Sequence, residues 1–292
     1  MKTVAQTIKD IKSLRIQGAR EVAKAGVLCL RMTAEKSRAK NKRDFIRGLQ
    51  QVAEKVLKAR PTEPMLKNSI NIILAKAHDH DFENIKQFTS RLCDNYLLEM
   101  KALLEKIAEE GANQIMDGDV ILTHCHSHDV VEAMKIAKKQ GRNFEVIVTE
   151  TEPRGQGVTT AKELLDSKIP VTFCIDSAIG HVMGSADKVM LGCDAILPDG
   201  SIVNKIGTFP MAMVAMQFAR PVYVLGETLK YVKRVEIEER DPAEVIDPKK
   251  LKGARIINPA FDVTPAEYIH VLITEKGLMS PAAVRDLLSG NV

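Results

Sequence analysis

Residues 119–150 read DVILTHCHSHDVVEAMKIAKKQGRNFEVIVTE. Two short runs rich in Val and Ile, VILT and EVIVT, flank a segment in which Val130, Val131 and Met134 recur at helical spacing. Strand, helix, strand within about thirty residues is the pattern of a parallel pair joined by a crossover helix. The pattern continues downstream in VTFCID (171–176), KVMLGCDAIL (188–197), PVYVLGE (221–227) and EYIHVLIT (267–274), with VTTAKELLDSK (158–168) helical between two of them. Strands that read as continuous apolar runs are covered on both faces. The expected fold is therefore α/β, with a Rossmann-like, mainly parallel sheet over residues 111–292. In such sheets ligands bind beyond the carboxyl ends of the strands.

Working backwards, the first third reads as helices. Ile85, Phe88, Leu92, Tyr96, Met100, Leu104, Ile107 and Ile115 form the stripe of one long amphipathic helix. Glu21 to Lys36 and Lys42 to Ala59 carry similar stripes, and Arg60 with Pro61 ends the second. Residues 1–110 are expected to form a helical N-terminal domain. The basic run KSRAKNKRD at 36–44 reads as a solvated turn.

Composition narrows the class of function. The chain has 292 residues, 45% hydrophobic and 27% charged, with no Trp, the balance of a globular protein with a sizeable core. Its 42 basic and 38 acidic residues leave a net charge of +4 without a basic block, which gives no support to nucleic-acid binding. No run approaches the roughly 18 apolar residues a membrane span requires. The five cysteines show no CxxC spacing and the N-terminus lacks an apolar signal segment. A reduced, cytoplasmic setting is expected.

The polar residues at the strand ends are the candidates for chemistry. Cys125 follows the first strand, and Ser127 is placed to cap the helix after it. The helix dipole, with His124 or His126, would favour thiolate, a base or nucleophile; the competing reading is a small buried cysteine. Zinc is a further rival, since His124, Cys125, His126 and His128 are competent ligands, but in an extended segment His124 and His126 point away from Cys125, and no downstream ligand pair follows. No metal is expected. Asp194 stands inside an apolar run, where a carboxylate must be paired, neutralised or functional. Asn204, Lys205, Gly207 and Thr208 suggest phosphate binding at a helix N-terminus, with Lys230 at the same rim.

Longer segments carry a resemblance. THCHS (123–127), TETEPRGQG (149–157), GCDAILPDGSIVNKIGT (192–208), GETLKY (226–231) and NPAFDVTPAEYI (258–269) resemble one superfamily across nearly the whole chain, with IQGA (16–19) and ARPTEP (59–64). It joins the sugar-phosphate isomerases for ribose 1,5-bisphosphate and methylthioribose 1-phosphate to the alpha, beta and delta regulatory subunits of the exchange factor for translation initiation factor two. VEIEERDPAEVI (235–246) and the NPAFDVTP segment are most similar to the archaeal ribose 1,5-bisphosphate isomerase branch.

The resemblance implies an aldose–ketose isomerase without a cofactor, making ribulose 1,5-bisphosphate through a phosphoenolate. It would lie in nucleoside monophosphate degradation, feeding a carboxylase. It implies a cysteine base at Cys125, an aspartate acid at Asp194, and substrate contacts from Gln17, Gly18, Ala19, Arg20, Arg60, Asn204, Lys205 and Lys230. A homo-oligomer, dimer or hexamer, and a nucleotide effector belong to the same expectation. Two positions depart from the isomerase pattern: Gln17 replaces an arginine in IRGA, and Glu152 replaces one in ETRP. Arg154 and Arg20 are near enough in sequence to restore the charge. The alternative is a regulatory subunit that keeps the fold to bind nucleotide or protein without catalysis.

Overall fold

The computed structural model describes residues 3–284. The chain divides into two compact units, one up to Leu103 and one from Leu104. The first is all helix: α1 (Val4–Lys12), α2 (Ala19–Lys36), α3 (Lys42–Ala59), α4 (Pro64–Asp79) and the first part of α5 (Ile85–Ala112). Thr3 caps α1 and Asn41 caps α3 through side-chain oxygens that accept backbone amides, while Pro64 opens α4 at a position where no amide is needed. The apolar stripes pack inward as Val22, Val27, Leu30, Phe45, Leu49, Leu66, Ile70 and Ile73, all buried. Gly26 lies where a Cβ would be 2.4 Å from the Leu66 side chain, so α2 and α4 approach closely there.

The second unit is a seven-stranded sheet with strands β1 (Val120–Thr123), β2 (Glu145–Thr149), β3 (Val171–Cys174), β4 (Lys188–Gly192), β7 (Val222–Leu225), β9 (Val271–Thr274) and β10 (Gly277–Met279). Its order is β10-β9-β7-β4-β1-β2-β3, parallel except for β10. Helices α6 (His128–Lys139), α7 (Gln156–Asp166), α8 (Ile179–Val182) and α9 (Thr208–Gln217) lie between the strands in sequence. The fold is mixed α/β, as the apolar runs predict.

Side-chain alternation fills two cores. Ile121, Val146, Val148, Met190, Leu225 and Ile273 join one cluster with α6 and α7. Their neighbours Leu122, Ile147, Val189, Leu191, Val224 and Leu272 join the other with α8 and α9. Each fully buried aliphatic side chain contributes about 1.5–3 kcal/mol, so both faces have to be covered. Strand order reverses at β1: β2 and β3 extend to one side, β4 to the other. The carboxyl ends of β1 and β4 flank this switch point, and Cys125 and Asp194 follow those two ends within two residues.

The KVMLGCDAIL run is not one strand. It breaks at Cys193 and Asp194, and β5 (Ala195–Ile196) joins a separate antiparallel sheet with β6 (Ile202–Lys205) and β8 (Phe261–Thr264) in the order β5-β6-β8. Asp194 sits at the corner between the sheets, its amide donating to Val203 O at 2.8 Å. Among the described residues no helix is long and apolar enough to cross a membrane.

Candidate active site

At the end of β1 the chain turns sharply. Cys125 has φ 67°, the left-handed region that costs a non-glycine residue about 1 kcal/mol or more, so the segment is not extended through Cys125. The strand alternation used above to set the histidines opposite the cysteine fails at that residue. Two hydrogen bonds hold the turn: the Cys125 amide donates to Thr151 Oγ1 (2.8 Å), and Thr160 Oγ1 donates to Cys125 O (2.8 Å). Ser127 then caps α6, its Oγ accepting from the Val130 amide at 3.5 Å. Gly192 at the end of β4 leaves the room, since a Cβ there would be 2.4 Å from Ser127 Oγ.

His124 is buried, with Nε2 2.8 Å from Ile206 O and Nδ1 2.6 Å from Thr149 Oγ1. A carbonyl only accepts, so Nε2 carries the proton, and in the neutral ring Nδ1 accepts the threonine hydroxyl. Both nitrogens are taken, which removes His124 from any metal donor set. His126 Nδ1 lies 3.0 Å from Thr160 Oγ1, and its ring meets His128 edge-on at 4.9 Å between centroids. Among the described residues no three His, Cys, Asp or Glu side chains are grouped to hold a metal.

The thiol is not activated in this form. Burial pushes Cys125 up to about 11, against the lowering influence of Lys205 and of the His126 amide, with Asp194 and Asp176 adding to the rise. Burial also lowers the pKa of His124 and of His126, so neither histidine supplies the positive charge expected beside the thiol. The helix dipole and histidines therefore do not make Cys125 a resting thiolate: desolvation of the anion outweighs them.

Around the β4 end the carboxylates gather. Lys230 is buried, its Nζ 3.1 Å from Asp129 Oδ2 and 3.3 Å from Glu227 Oε2. The neighbouring thiol of Cys193 is pushed up to about 12 by burial, with Lys230 lowering it and Asp194 and Asp129 raising it, which puts Asp194, Asp129 and Lys230 in one electrostatic neighbourhood. Asp129 and Glu227 were not among the residues singled out from sequence. Glu227 had the same signal as Asp194, a carboxylate closing an apolar run.

The NKIGT segment proves to be the end of β6 and the start of α9. Asn204 is buried and donates from Nδ2 to Thr208 Oγ1 (2.9 Å), and Thr208 Oγ1 donates to Lys205 O (2.7 Å). Lys205 Nζ sits 5.1 Å from the Phe261 ring centroid. The α9 N-terminus is occupied, however: Asp262 Oδ2 accepts from the Gly207 amide (2.8 Å) and the Phe209 amide (3.1 Å). A carboxylate of the chain itself stands where a ligand phosphate was expected. The Gly207 and Phe209 amides are therefore taken, and Lys205 is the cationic side chain of this turn.

The other expected residues lie in the helical unit. Gln17 and Gly18 are exposed ahead of α2, with Gly18 at φ 83°, and Ala19 and Arg20 form its first turn. Arg20 is buried and donates from Nη1 to Met100 O at 2.6 Å. Arg60 closes α3, with Nη2 2.7 Å from Glu63 Oε1.

The profile of the Initiation factor 2 subunit family matches residues 15–281. The chain belongs to that family. It is 39% identical to the ribose 1,5-bisphosphate isomerase of Thermococcus kodakarensis, covering 99% of this chain and 94% of that one. The methylthioribose-1-phosphate isomerase of Pelotomaculum thermopropionicum is 34% identical over 93% of this chain and 81% of its own. Among solved structures, the Pyrococcus horikoshii translation initiation factor eIF-2B superposes with a TM-score of 0.84 at 31% identity, covering 95% and 97% of the two chains. The 5-methylthioribose 1-phosphate isomerase of the same organism gives 0.81 at 27%, covering 98% and 87%.

The family loop that departs in sequence is firmly built here. Asp176 accepts the amides of Thr151 and Glu152, both at 2.8 Å, and Gly157 packs so tightly that a Cβ would be 1.8 Å from Thr149 O. Glu152 is exposed. Arg154 does not restore the missing charge, because its Nη1 pairs with Glu244 Oε1 at 3.1 Å, and Arg20 is turned to Met100 O.

Proposed function

We propose that this chain is an aldose–ketose isomerase that converts ribose 1,5-bisphosphate to ribulose 1,5-bisphosphate, with Asp194 as acid and Cys125 as base. What carries the reading is the position of Cys125 and Asp194 after adjacent strands at the switch point, in a chain matching named isomerases over nearly its whole length. A purely regulatory subunit has no use for that pair.

An aldose phosphorylated on C1 cannot open its ring unaided. An acid must protonate the ring oxygen while a base removes the proton from C2. Burial keeps the proton on the Cys125 thiol, and the proposed chemistry needs that proton on Asp194 instead. Passing it from thiol to carboxylate yields the thiolate and the carboxylic acid together, with no change in net charge. Asp194 then gives its proton to the ring oxygen as the C1–O bond breaks, and Cys125 takes the C2 proton, leaving a phosphoenolate. Return of that proton to C1, with the O2 proton going to Asp194, completes the ketose. Lys205, Lys230 and Arg60 supply cationic groups for two phosphates of about −2 each, and the turn of Gln17, Gly18, Ala19 and Arg20, with Asn204, supplies further contacts.

The substrate places the enzyme in nucleoside monophosphate breakdown feeding a carboxylase, in the cytoplasm. Assembly as a homo-oligomer and regulation by a nucleotide belong to the same reading, as does a boundary near residue 110 between the helical and catalytic domains. Turnover of α-ribose 1,5-bisphosphate, followed by coupled carboxylation of the product, is the test. The reading predicts turnover by wild type and its loss in C125S and D194N. Binding to an initiation factor subunit with no turnover by the wild type would establish the regulatory alternative instead.

A further inference from the structure

The chemistry above gives no part to His124, although the ring is 1% exposed and engaged at both ends. On one side Nδ1 meets Thr149 Oγ1 (2.6 Å) and lies 3.4 Å from Thr151 Oγ1, the same hydroxyl that accepts the amide of Cys125. On the other side Nε2 donates to the carbonyl of Ile206, the residue after Lys205. Gly207 completes the contact: at φ +102° it lets the turn run beside the ring, and a Cβ there would sit 3.0 Å from Nε2 and 3.1 Å from Cε1. The turn between β6 and α9 is built against this imidazole.

We propose that His124 is a positioning residue, a neutral strut that spans from the Cys125 turn to the β6–α9 turn and sets the Lys205 ammonium against the Cys125 thiol. The role rests on the isomerase reading for its meaning in turnover, but not for its geometry. Lys205 is held on its far side by pairing with Phe261, and Ile206 by its amide donating to Ala260 O at 3.1 Å. His124 supplies the matching restraint on the near side. Among the groups acting on the Cys125 thiol, Lys205 is the foremost that favours thiolate, so its placement governs how readily the proton leaves. A residue that merely filled the core would not need two polar ends.

The test is a double-mutant cycle between His124 and Lys205. H124Q keeps an acceptor for Thr149 and a donor for Ile206, so kcat stays within about threefold of wild type. H124F fills the space without either bond, and a displacement of about 1 Å lowers kcat on the order of 10²-fold. H124F added to K205M costs little further, because the strut acts through the lysine. The same cycle is read without substrate by the rate of Cys125 alkylation with iodoacetamide at pH 9, followed by peptide mass spectrometry. H124F and K205M each slow it several-fold, and the double variant is no slower. G207A, which pushes on the ring from the other side, reproduces H124F and serves if that variant does not fold. Effects that multiply in the cycle, or H124F within threefold of wild type by both readouts, overturn the proposal. If wild type fails to turn over ribose 1,5-bisphosphate, the isomerase reading falls while the alkylation cycle still decides the strut.

Discussion

Lys230 and Asp129 stand 101 positions apart in sequence, yet their side chains meet at 3.1 Å, both almost wholly buried. Glu227 approaches the same ammonium at 3.3 Å. A buried charge that loses its partner costs about 3–5 kcal/mol, since desolvation is no longer offset. K230M is therefore expected to lower the unfolding free energy by about that amount in urea melts. A loss under 1 kcal/mol would mean that the ammonium is not what keeps these carboxylates in place.

Cys125 predicts a slow thiol. Raised from 9.0 to about 11, it carries roughly a hundredth of the thiolate of an ordinary cysteine at neutral pH. Alkylation at Cys125 should be on the order of 10²-fold slower at pH 7.5 in the native protein than in urea. It should also gain about tenfold per pH unit up to pH 10. A native rate matching the unfolded one would show a preformed thiolate and remove the need for proton exchange with Asp194.

Asp262 predicts a pH dependence. Burial raises its carboxyl from 3.8 to about 6, against the lowering influence of the amides it accepts. Between those values the folded chain binds more protons than the unfolded chain, so this group's contribution is fully present below 3.8 and is lost as pH rises through 6. D262N mimics the neutral form. Its stability relative to wild type should improve from pH 4.5 to pH 7 in denaturant melts; a flat or opposite trend would exclude the raised pKa.

How far the sequence can be read depends on what kind of partner a residue needs. The βαβ frame was legible because Ile121 and Leu122, or Val146 and Ile147, alternate between two covered faces, and local periodicity records that. KVMLGCDAIL read as one strand because nothing local tells Ala195 and Ile196 that their partners are Ile202 and Val203 in another sheet. Cys125 and Asp194 stood out as polar residues closing apolar runs. Asp129, Asp176 and Asp262 did not, because they look like ordinary surface or turn aspartates until tertiary packing buries them or aims them at amides. The same limit misled the expectation of a thiolate: the residue types for activation are present, and burial, which sequence does not show, wins.

The second glycine of the TETEPRGQG loop allows a direct test of whether this loop sets the site. A methyl group on Gly157 would stand 1.8 Å from Thr149 O and 3.0 Å from Glu150 O, backbone atoms that cannot swing aside. G157A should then cost about 1–3 kcal/mol or more through forced backbone shifts. Gly180, in α8 with nothing within 4 Å of a built Cβ, is the control, and G180A should be neutral or stabilising by up to about 1 kcal/mol. Thr149 and Thr151 hold His124 and the Cys125 amide, so a displaced loop moves the thiol as well. G157A is accordingly expected to lower kcat at temperatures where it remains folded, whereas G180A leaves kcat unchanged. Equal kcat in the two variants would show that the loop supports the fold without setting the position of Cys125.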